Sequence, residues 1–501
     1  MPNVADLLTR AAVERPDRVV IKVDDTELSY AELDHATSQT AAFLREKGVR
    51  PGDRVAVMLP NVAYFPICYY GALRAGAAVV PMNVLLKERE VAFHVGDSEA
   101  TLLLAWHEFA DAARAGVAQT DAECVLVAPG EFEAMIGQSA HALEVVERRP
   151  DDTALILYTS GTTGTPKGAE LTHDNLLRNV EATVSVFGLD DHSITLGALP
   201  FFHAFGQTCA LNATVSVGGC LTLIPRFTSA RALEILQRDR VTVFEGVPTM
   251  YAAMLNEALA DETDTSSLEL CVSGGAAMPV EIMRAFEQKL GCAIIEGYGL
   301  SETSPVASFN RRDRERKPGS IGLPIDGVEM RVVDEDGTEV PQGDIGEIAI
   351  RGHNVMKGYW RRVQATAEAI DQDGWFKTGD LARIDEDGYF FIVDRKKDLV
   401  IRGGYNVYPR EVEEVLYEHP DVLAVAVIGI PHAELGEEIA AAIVLKAGAH
   451  ATPDELREFV KERIAAYKYP REVWLVDALP LGPTGKILKR EITPPAWLAT
   501  T

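Results

Sequence analysis

The sequence Tyr158-Thr-Ser-Gly-Thr-Thr-Gly-Thr-Pro-Lys-Gly168 brings glycines, hydroxyl side chains and one lysine together in a single segment. It follows the apolar run 153–158, which predicts a buried strand, and the residues after Thr172 are compatible with a helix. A strand, a glycine loop and a helix in this order can hold phosphate, because glycines let backbone N–H groups approach an anion. The segment is not the common P-loop, since Pro166 and Gly168 occupy the places where that motif has Gly and Ser or Thr. A plain surface turn is the alternative interpretation.

The composition indicates a soluble protein of more than one domain. The chain has 501 residues, of which 47% are hydrophobic, and a formal net charge of −27. Such a negative charge argues against binding to nucleic acid or to anionic membranes. The six cysteines include no CxxC pair, which is typical of buried thiols in a reducing cytoplasm. We expect neither a signal peptide nor a membrane span, and the C-terminal Ala-Thr-Thr is not a peroxisomal address.

Alternating strand and helix patterns in two parts of the chain predict an α/β fold with parallel strands. From about residue 318, short strands alternate with Asp-Gly turns, and after about residue 398 the pattern becomes α+β. We therefore predict a large N-terminal domain over 1–396, with two doubly wound α/β subdomains and a small β-barrel-like subdomain. A small α+β C-terminal domain would occupy 397–501.

Two polar segments follow predicted strands and would lie where ligands bind, beyond the carboxyl ends of the strands. The first is Ser273-Gly-Gly-Ala-Ala-Met278, whose small side chains would let a flat ring lie against the backbone. The second is Glu296-Gly-Tyr-Gly-Leu-Ser-Glu-Thr303, in which Tyr298 offers a stacking surface for adenine. Glu302 is a hard oxygen ligand suited to Mg²⁺, and a solvated turn carboxylate is the alternative.

Three further segments complete a family pattern. They are Pro200-Phe-Phe-His-Ala-Phe-Gly206, Trp375-Phe-Lys-Thr-Gly-Asp380 and Pro480-Leu-Gly-Pro-Thr-Gly-Lys-Ile-Leu-Lys-Arg490. In their order, these motifs resemble those of the adenylate-forming enzymes, which include acyl-CoA synthetases, aryl-CoA ligases, luciferases and nonribosomal adenylation domains. The resemblance covers almost the whole chain. It implies activation of a carboxylic acid by ATP with Mg²⁺, followed by transfer of the acyl group to CoA, and it is greatest to bacterial fatty-acyl-CoA synthetases.

The resemblance also implies the site residues. Lys486 would be the catalytic lysine, bridging the substrate carboxylate and the α-phosphate. Lys397 would be the hinge about which a mobile C-terminal domain turns, and His203 would gate the acyl site. The remaining residues are, for ATP or AMP, Thr159, Ser160, Gly161, Thr162, Thr163, Gly164, Lys167, Gly275, Ala276, Ala277, Glu296, Gly297, Tyr298, Gly299, Ser301, Asp380 and Arg395; for Mg²⁺, Thr159 and Glu302; for CoA, Gly403, Gly404, Tyr405 and Asn406; and for the acyl group, Phe201, Phe205, Val247, Met250 and Tyr251.

The sequence leaves several alternatives open. The apolar side chains between 200 and 251 favour a fatty acid, with benzoate- or cinnamate-type aryl acids as the main rival. The other hypotheses are an adenylation enzyme that loads a carrier protein, a luciferase-like oxygenase and a non-catalytic nucleotide-binding protein. Retention of Lys486, Glu302 and the hydroxyl-rich segment argues against the last of these. Ser301 stands where the family usually has Thr, and a homodimer is one hypothesis for the oligomeric state.

Overall fold

A computed structural model describes residues 3–139, 144–159 and 165–496 of the chain. Its strands, in chain order, are β1 Val19–Val23, β2 Thr26–Ser29, β3 Arg54–Met58, β4 Ala78–Pro81, β5 Ala100–Trp106, β6 Glu123–Val127, β7 Thr153–Thr159, β8 Lys167–Thr172, β9 Ile194–Gly197, β10 Cys220–Leu223, β11 Val243–Gly246, β12 Leu270–Ser273, β13 Ile294–Gly299, β14 Val306–Phe309, β15 Leu323–Pro324, β16 Val328–Val333, β17 Gly346–Gly352, β18 Gly358–Tyr359, β19 Phe376–Ile384, β20 Phe390–Arg395, β21 Val400–Arg402, β22 Tyr405–Val407, β23 Val422–His432, β24 Gly436–Leu445 and β25 Glu472–Leu475.

The α-helices are α1 Asp6–Glu14, α2 Tyr30–Glu46, α3 Tyr64–Arg74, α4 Glu88–Ser98, α5 Ala110–Val117, α6 Glu131–Ile136, α7 His173–Phe187, α8 Ala213–Ser216, α9 Ser229–Arg238, α10 Pro248–Leu255, α11 Val280–Leu290, α12 Val363–Ala369, α13 Pro409–Tyr417 and α14 Pro453–Lys461. A π-helix, Phe205–Asn212, precedes α8. Short 3₁₀ turns include Ser301–Thr303. No helix among the described residues has both the length and the apolar character needed to cross a membrane.

Two large sheets, each with its own hydrophobic core, form the α/β part of the molecule. One has the strand order β18-β8-β7-β4-β3-β5-β6, and the other has the order β15-β14-β13-β12-β11-β9-β10-β1-β2. The central strands pair in parallel and the outer ones pair mostly antiparallel. The predicted α/β class is therefore confirmed.

Two smaller sheets follow in the chain. The first, β16-β17-β19-β20, is antiparallel throughout and corresponds to the predicted β-rich unit. The second, β22-β21-β24-β23 with β25 beside β24, packs a separate core against α13 and α14. Between them, residues 396–398 form the turn that links β20 to β21.

Local sequence signals account for several helix starts. Ser29 caps α2, since its hydroxyl accepts from Glu32 N at 3.2 Å while the Glu32 carboxylate accepts from Ser29 N at 2.8 Å. Thr452 and Glu455 make the same reciprocal pair at the start of α14. Each pair satisfies N–H groups that a helix start otherwise leaves without partners. Both caps were predicted from the sequence, and both are confirmed.

The structure corrects the predicted strand-loop-helix arrangement around residues 158–168. The segment joins two antiparallel strands, β7 and β8, whereas the helix predicted after Thr172 is confirmed, since α7 begins at His173. Gly168 lies opposite Tyr158, and a Cβ there would come within 2.6 Å of Ile156 Cγ2. The prediction missed β8 because its lysine, glycines and hydroxyls resemble a loop, whereas tertiary pairing with β7 favours a strand.

Candidate active site

The carboxyl ends of β11, β12 and β13 lie side by side, because these strands pair in parallel in that order. The segment after β12 contains Gly275, Ala276 and Ala277, and both alanines are exposed. Gly275 has a φ of +80°, a left-handed conformation that favours glycine. The structure therefore presents an open backbone surface at the place where the sequence predicted adenine.

Lys486 reaches this surface from the C-terminal part of the chain. It lies in a tight turn that is closed by hydrogen bonds from Gly482 N to Lys486 O at 2.7 Å and from Leu488 N to Pro480 O at 2.8 Å. A Cβ added to Gly275 would lie 2.9 Å from Lys486 Cε. The lysine stem therefore fills the space that the absent side chain leaves free.

A hydrogen bond from Thr249 fastens the Lys486 turn to the large domain. The Thr249 hydroxyl, in the first turn of α10, donates to Gly485 O at 2.8 Å. Gly485 has a φ of +79°, and a Cβ there would lie 3.1 Å from Val247 Cγ2. Sequence analysis did not identify Thr249, since its partner lies 236 positions away in the chain.

Burial and the charged groups around Lys486 together shift its pKa. Burial, followed by the charge of Arg395, lowers the pKa of Lys486 to about 8, while Asp380 opposes this shift. Burial and the nearby Lys486 together lower the pKa of His203 to about 3. His203 is therefore a neutral imidazole at ordinary pH, which suits a wall or a hydrogen-bonding group better than a general acid.

The pKa of Lys486 predicts an upper pH limit for the first half-reaction, in which ATP would activate the acid and pyrophosphate would be released. Its ammonium is the charge that would attract the two reacting anions, and the cationic fraction of a group with a pKa near 8 falls as the pH rises through 8. The kcat/KM for pyrophosphate release should therefore decline above about pH 8, since this parameter reports the free enzyme. Arginine at position 486 keeps its charge to much higher pH, so Lys486→Arg should move the decline upwards. An unchanged upper limb in Lys486→Arg would contradict the assignment.

Asp380 forms a polar group with Tyr298 and Arg395. Its side chain is buried, it accepts from the Tyr298 hydroxyl at 2.5 Å, and Arg395 Nε lies 3.3 Å from its other oxygen. Burial raises the pKa of Asp380, although the charge of Arg395 opposes that shift. Thr378 orients the backbone here, because Asp380 N donates to its hydroxyl at 3.1 Å. The three residues predicted for the nucleoside are thus adjacent.

Glu296 and the two glycines that follow it have structural roles visible in their contacts. Glu296 Oε1 accepts from Met278 N at 2.9 Å, which holds the segment after β12, and burial raises the pKa of this carboxyl to about 7. A Cβ on Gly297 would lie 2.2 Å from the Phe309 ring, and one on Gly299 would lie 1.8 Å from Pro305 O. These glycines let β14 approach β13, a packing requirement that is independent of any nucleotide.

Glu302 lies in the 3₁₀ turn Ser301–Thr303 and contacts the last residue of β7, Thr159. Its Oε1 accepts from the Thr159 hydroxyl at 3.2 Å and from the Tyr359 hydroxyl at 3.0 Å. Lys167 Nζ stands 5.1 Å from the centre of the Tyr359 ring, which is cation–π range. The two predicted magnesium ligands, Thr159 and Glu302, are therefore hydrogen-bonded to each other. Tyr359 contacts both Glu302 and Lys167, and sequence analysis did not identify it. Ser160, Gly161, Thr162, Thr163 and Gly164 lie outside the described residues, and Ser301 begins the 3₁₀ turn.

The predicted acyl residues have different degrees of burial. Phe205 borders the site, since a Cβ on Gly274 would lie 3.0 Å from its ring, and Met250 is buried nearby on α10. Phe201 is fully buried and its ring centre lies 5.5 Å from that of Phe65. Tyr251 is also fully buried, and its hydroxyl donates to Val272 O at 2.7 Å. These contacts show that Phe201 and Tyr251 pack in the core, and the acyl role that the sequence assigned to them stays a prediction.

The predicted CoA loop lies on the surface of the C-terminal part. Gly403 and Gly404, with φ values of +58° and +84°, turn the chain between β21 and β22. Gly403 N donates to Leu435 O at 2.8 Å, and the rings of Tyr405 and Tyr467 are 4.8 Å apart. Asn406 and Lys397 are exposed. The contacts of this loop are thus with its own domain, while Lys486 occupies the site.

Comparisons with known proteins agree with this geometry. The family model described as AMP-binding enzyme matches residues 8–360, and the model described as AMP-binding enzyme C-terminal domain matches residues 411–486. A long-chain-fatty-acid–CoA ligase from Bacillus subtilis (strain 168) is 36% identical over 98% of this chain and 94% of that protein. A feruloyl-CoA synthase from an Amycolatopsis species is 39% identical over 96% of this chain and 97% of that protein.

Solved structures give the same result. The crystal structure of ATP-bound MatB from Rhodopseudomonas palustris aligns with a TM-score of 0.91 and 36% identity, over 97% of this chain and 98% of that one. A likeness of this extent covers both large sheets and the C-terminal part. The chain therefore belongs to the AMP-binding enzyme family.

Proposed function

We propose that this enzyme joins a carboxylic acid to CoA in two steps, with an acyl-adenylate as the intermediate. In the first step, a carboxylate oxygen forms a bond to the α-phosphorus of ATP, and the bond to pyrophosphate breaks. In the second, the CoA sulfur forms a bond to the acyl carbon and AMP leaves. The observation that carries this proposal is the position of Lys486 against Gly275, beside Asp380, Arg395 and His203.

Lys486 acts in the first step by bringing two anions together. A carboxylate and a triphosphate repel each other, and a partly buried ammonium between them offsets that repulsion more strongly than it would in water. The hydrogen bond from Thr249 to Gly485 O limits the positions open to the lysine. Fixed placement of this kind reduces the entropy that the reacting groups must lose.

The residues around Glu302 fit a magnesium ion that is shared with the substrate. Among the described residues, no group of three or more His, Cys, Asp and Glu side chains forms a metal cage. Mg²⁺ commonly binds through one or two carboxylates together with substrate phosphates, so a single buried glutamate is an adequate protein ligand. Glu302 would hold the ion with the Thr159 hydroxyl beside it, and the ion would supply charge neutralisation at the phosphates.

The second step requires Lys486 to withdraw and the 403–406 loop to approach. We place the hinge at Lys397, because it lies in the exposed turn between the last strand of the β-rich sheet and the first strand of the C-terminal sheet. Domain 397–501 would rotate about this turn. Hinges of this kind are a few residues at the ends of elements that absorb the change in φ and ψ.

Lys397→Pro should separate the two half-reactions. Proline fixes φ near −65° and restricts the preceding residue, so it limits rotation at this turn. We expect thioester formation from preformed acyl-adenylate to fall by roughly tenfold or more, with much less change in pyrophosphate release, because the structure already holds Lys486 in the site. Lys397→Ala is the matched control, since it removes the side chain and keeps the backbone free. Equal loss of both half-reactions, or a neutral Lys397→Pro enzyme, would contradict the hinge.

For the acid we propose a medium- or long-chain fatty acid. Support comes from the apolar side chains of Phe205, Val247 and Met250 near the Lys486 turn and from the fatty-acid ligase among the relatives. An aryl acid is the second candidate, because the feruloyl-CoA synthase is 39% identical. A panel of fatty and aryl acids, assayed for pyrophosphate release with and without CoA, tests the proposal. Acid-dependent release and a CoA thioester are expected, and the absence of a thioester with every acid would refute it.

Oligomeric state and location are further predictions. We propose a homodimer located in the cytoplasm. Six cysteines without a CxxC pair support this location, because thiols stay reduced there. All six cysteines are free in the structure. Light scattering of the purified enzyme tests the homodimer, and a monomeric mass would refute it.

A further inference from the structure

Glu245 is a fully buried carboxyl whose two oxygens both lack a hydrogen-bond partner within the described residues. Buried polar groups in native proteins are nearly always paired, so an exception calls for a physical reason. Burial raises the pKa of this carboxyl well above its ordinary value, which favours the protonated form. A protonated carboxyl offers one O–H donor and also accepts. Glu245 is therefore equipped to exchange hydrogen bonds with a group that the described part of the chain does not provide.

The backbone directs Glu245 to the face of the sheet that carries the site. Side chains alternate along β11, and the neighbouring Phe244 packs on the opposite face, with its ring centre 5.1 Å from that of Tyr251. Val247 lies two residues beyond Glu245 with an extended backbone, so the two side chains share a face. A Cβ on Gly275 would lie 3.6 Å from Val247 Cγ1. Glu245 thus lies on the face that meets the Lys486 turn, but deeper along the strand.

The π-helix Phe205–Asn212, which lies near Glu245, carries further buried polar atoms without a partner among the described residues. Burial raises the pKa of the Cys209 thiol, and the charge of the Glu245 carboxyl is the second cause of this rise. Cys209 belongs to the π-helix Phe205–Asn212, so this helix lies close to Glu245. On this helix, Gln207 Oε1 and Thr208 Oγ1 are buried and have no partner among the described residues. π-helical turns are frequent at functional sites. Phe205, at the start of the helix, borders Gly274 and so connects this region to the site.

We propose that Glu245 determines substrate specificity by exchanging a hydrogen bond with a hydroxyl group on the body of the acid. Two residues of extended chain separate it from Val247, which corresponds to about 7 Å. If the carboxylate of the acid binds at Val247, which contacts Gly275 and Gly485 beside the Lys486 turn, the hydroxyl would lie about that far from it. An aryl acid with its hydroxyl opposite the carboxylate has this geometry, and so does a fatty acid with a hydroxyl near its sixth carbon. This inference rests on the proposed function and narrows its substrate class.

The test compares each hydroxylated acid with its parent. The pairs are 4-hydroxybenzoate with benzoate and 6-hydroxydecanoate with decanoate, and kcat/KM for CoA-thioester formation is measured for each. We expect the wild-type enzyme to favour the hydroxylated member of one pair by roughly tenfold or more, because a site built to bond a hydroxyl rejects the analogue that lacks it. The pair that shows the preference distinguishes an aryl from an aliphatic substrate.

Variants separate a specificity role from a structural one. Glu245→Gln keeps a donor and an acceptor and should retain the preference, whereas Glu245→Met should lose it by ligating the parent acid at least as well. Glu245→Met should also unfold at the same temperature as wild type or higher, because it replaces an unpaired buried polar group. Glu269→Met, at an exposed position just before β12, is the matched control and should leave the preference unchanged.

Two results would overturn the proposal and are distinguishable from each other. If wild type ligates both members of each pair equally, or if Glu245→Met keeps the preference, Glu245 does not determine specificity and the CoA-ligase function stands. If no acid of either pair or of the wider panel yields a CoA thioester, the proposed function falls, and the role of Glu245 falls with it.

Discussion

Replacing Lys486 with alanine is expected to lower acyl-adenylate formation by roughly 10²–10³-fold, the usual loss when a single group that stabilises the transition state is removed. The structure gives the reason, because the lysine stem fills the space above Gly275 and its ammonium lies near Asp380, Arg395 and His203. Without it, the carboxylate and the triphosphate meet with less of their repulsion neutralised. Acid-dependent pyrophosphate release, followed continuously at saturating ATP, measures the effect.

The same variant should transfer the acyl group from preformed acyl-adenylate to CoA at a rate close to that of wild type. This step no longer joins two anions, and it requires the Lys486 turn to leave the site. Lys461→Ala is a suitable control, since Lys461 lies on α14 and pairs with Glu458. Equal loss of both half-reactions in Lys486→Ala would show that the lysine stabilises the fold or both steps, and would contradict its assigned role.

Replacing Glu302 with glutamine is expected to cause the second large loss, roughly 10²-fold in pyrophosphate release at low Mg²⁺. The amide keeps the size of the side chain but removes the negative charge that a hard cation requires. Raising the Mg²⁺ concentration should recover part of the activity. The measurement is the Mg²⁺ dependence of the first half-reaction, and an unchanged dependence would exclude Glu302 as a ligand.

Tyr359 provides a graded companion to this experiment. Its hydroxyl donates to Glu302 Oε1 at 3.0 Å, so Tyr359→Phe removes an orienting hydrogen bond and leaves the carboxylate in place. We expect pyrophosphate release to fall less in Tyr359→Phe than in Glu302→Gln. The change in its Mg²⁺ dependence should also be smaller than in Glu302→Gln. Glu329→Gln is the matched control, since Glu329 lies on β16 and pairs with Arg351 at the surface. A Tyr359→Phe defect as large as that of Glu302→Gln would assign Tyr359 a direct role in binding.

Sequence analysis predicted those parts of the molecule that depend on local signals. The caps at Ser29 and Thr452 require only residues three positions apart, and both form. The apolar run 153–158 predicted the strand that the structure shows as β7, and the small segments after β12 and β13 were correctly placed at neighbouring strand ends. The position of Lys486 near these ends agrees with the family pattern, although its catalytic role remains a prediction.

What the sequence did not reveal depends on contacts between distant residues. Tyr359 and Glu302 are 57 positions apart, and no local pattern relates them. The pairing of β8 with β7 was hidden by loop-like composition. The lack of a hydrogen-bond partner for Glu245 among residues 3–139, 144–159 and 165–496 becomes visible only in the folded structure. The sequence could not reveal that Phe201 and Tyr251 are fully buried, because apolar side chains serve cores and ligand sites alike. Their acyl roles stay predictions.

The central claim is that the acid is activated by attack of its carboxylate on the α-phosphorus of ATP. An acid labelled with ¹⁸O in its carboxylate tests this directly, because the oxygen that attacks remains on phosphorus when CoA displaces AMP. Mass spectrometry of the products should find one ¹⁸O atom in AMP for each thioester formed and none in pyrophosphate. Unlabelled AMP, or label in inorganic phosphate formed together with ADP, would contradict the account.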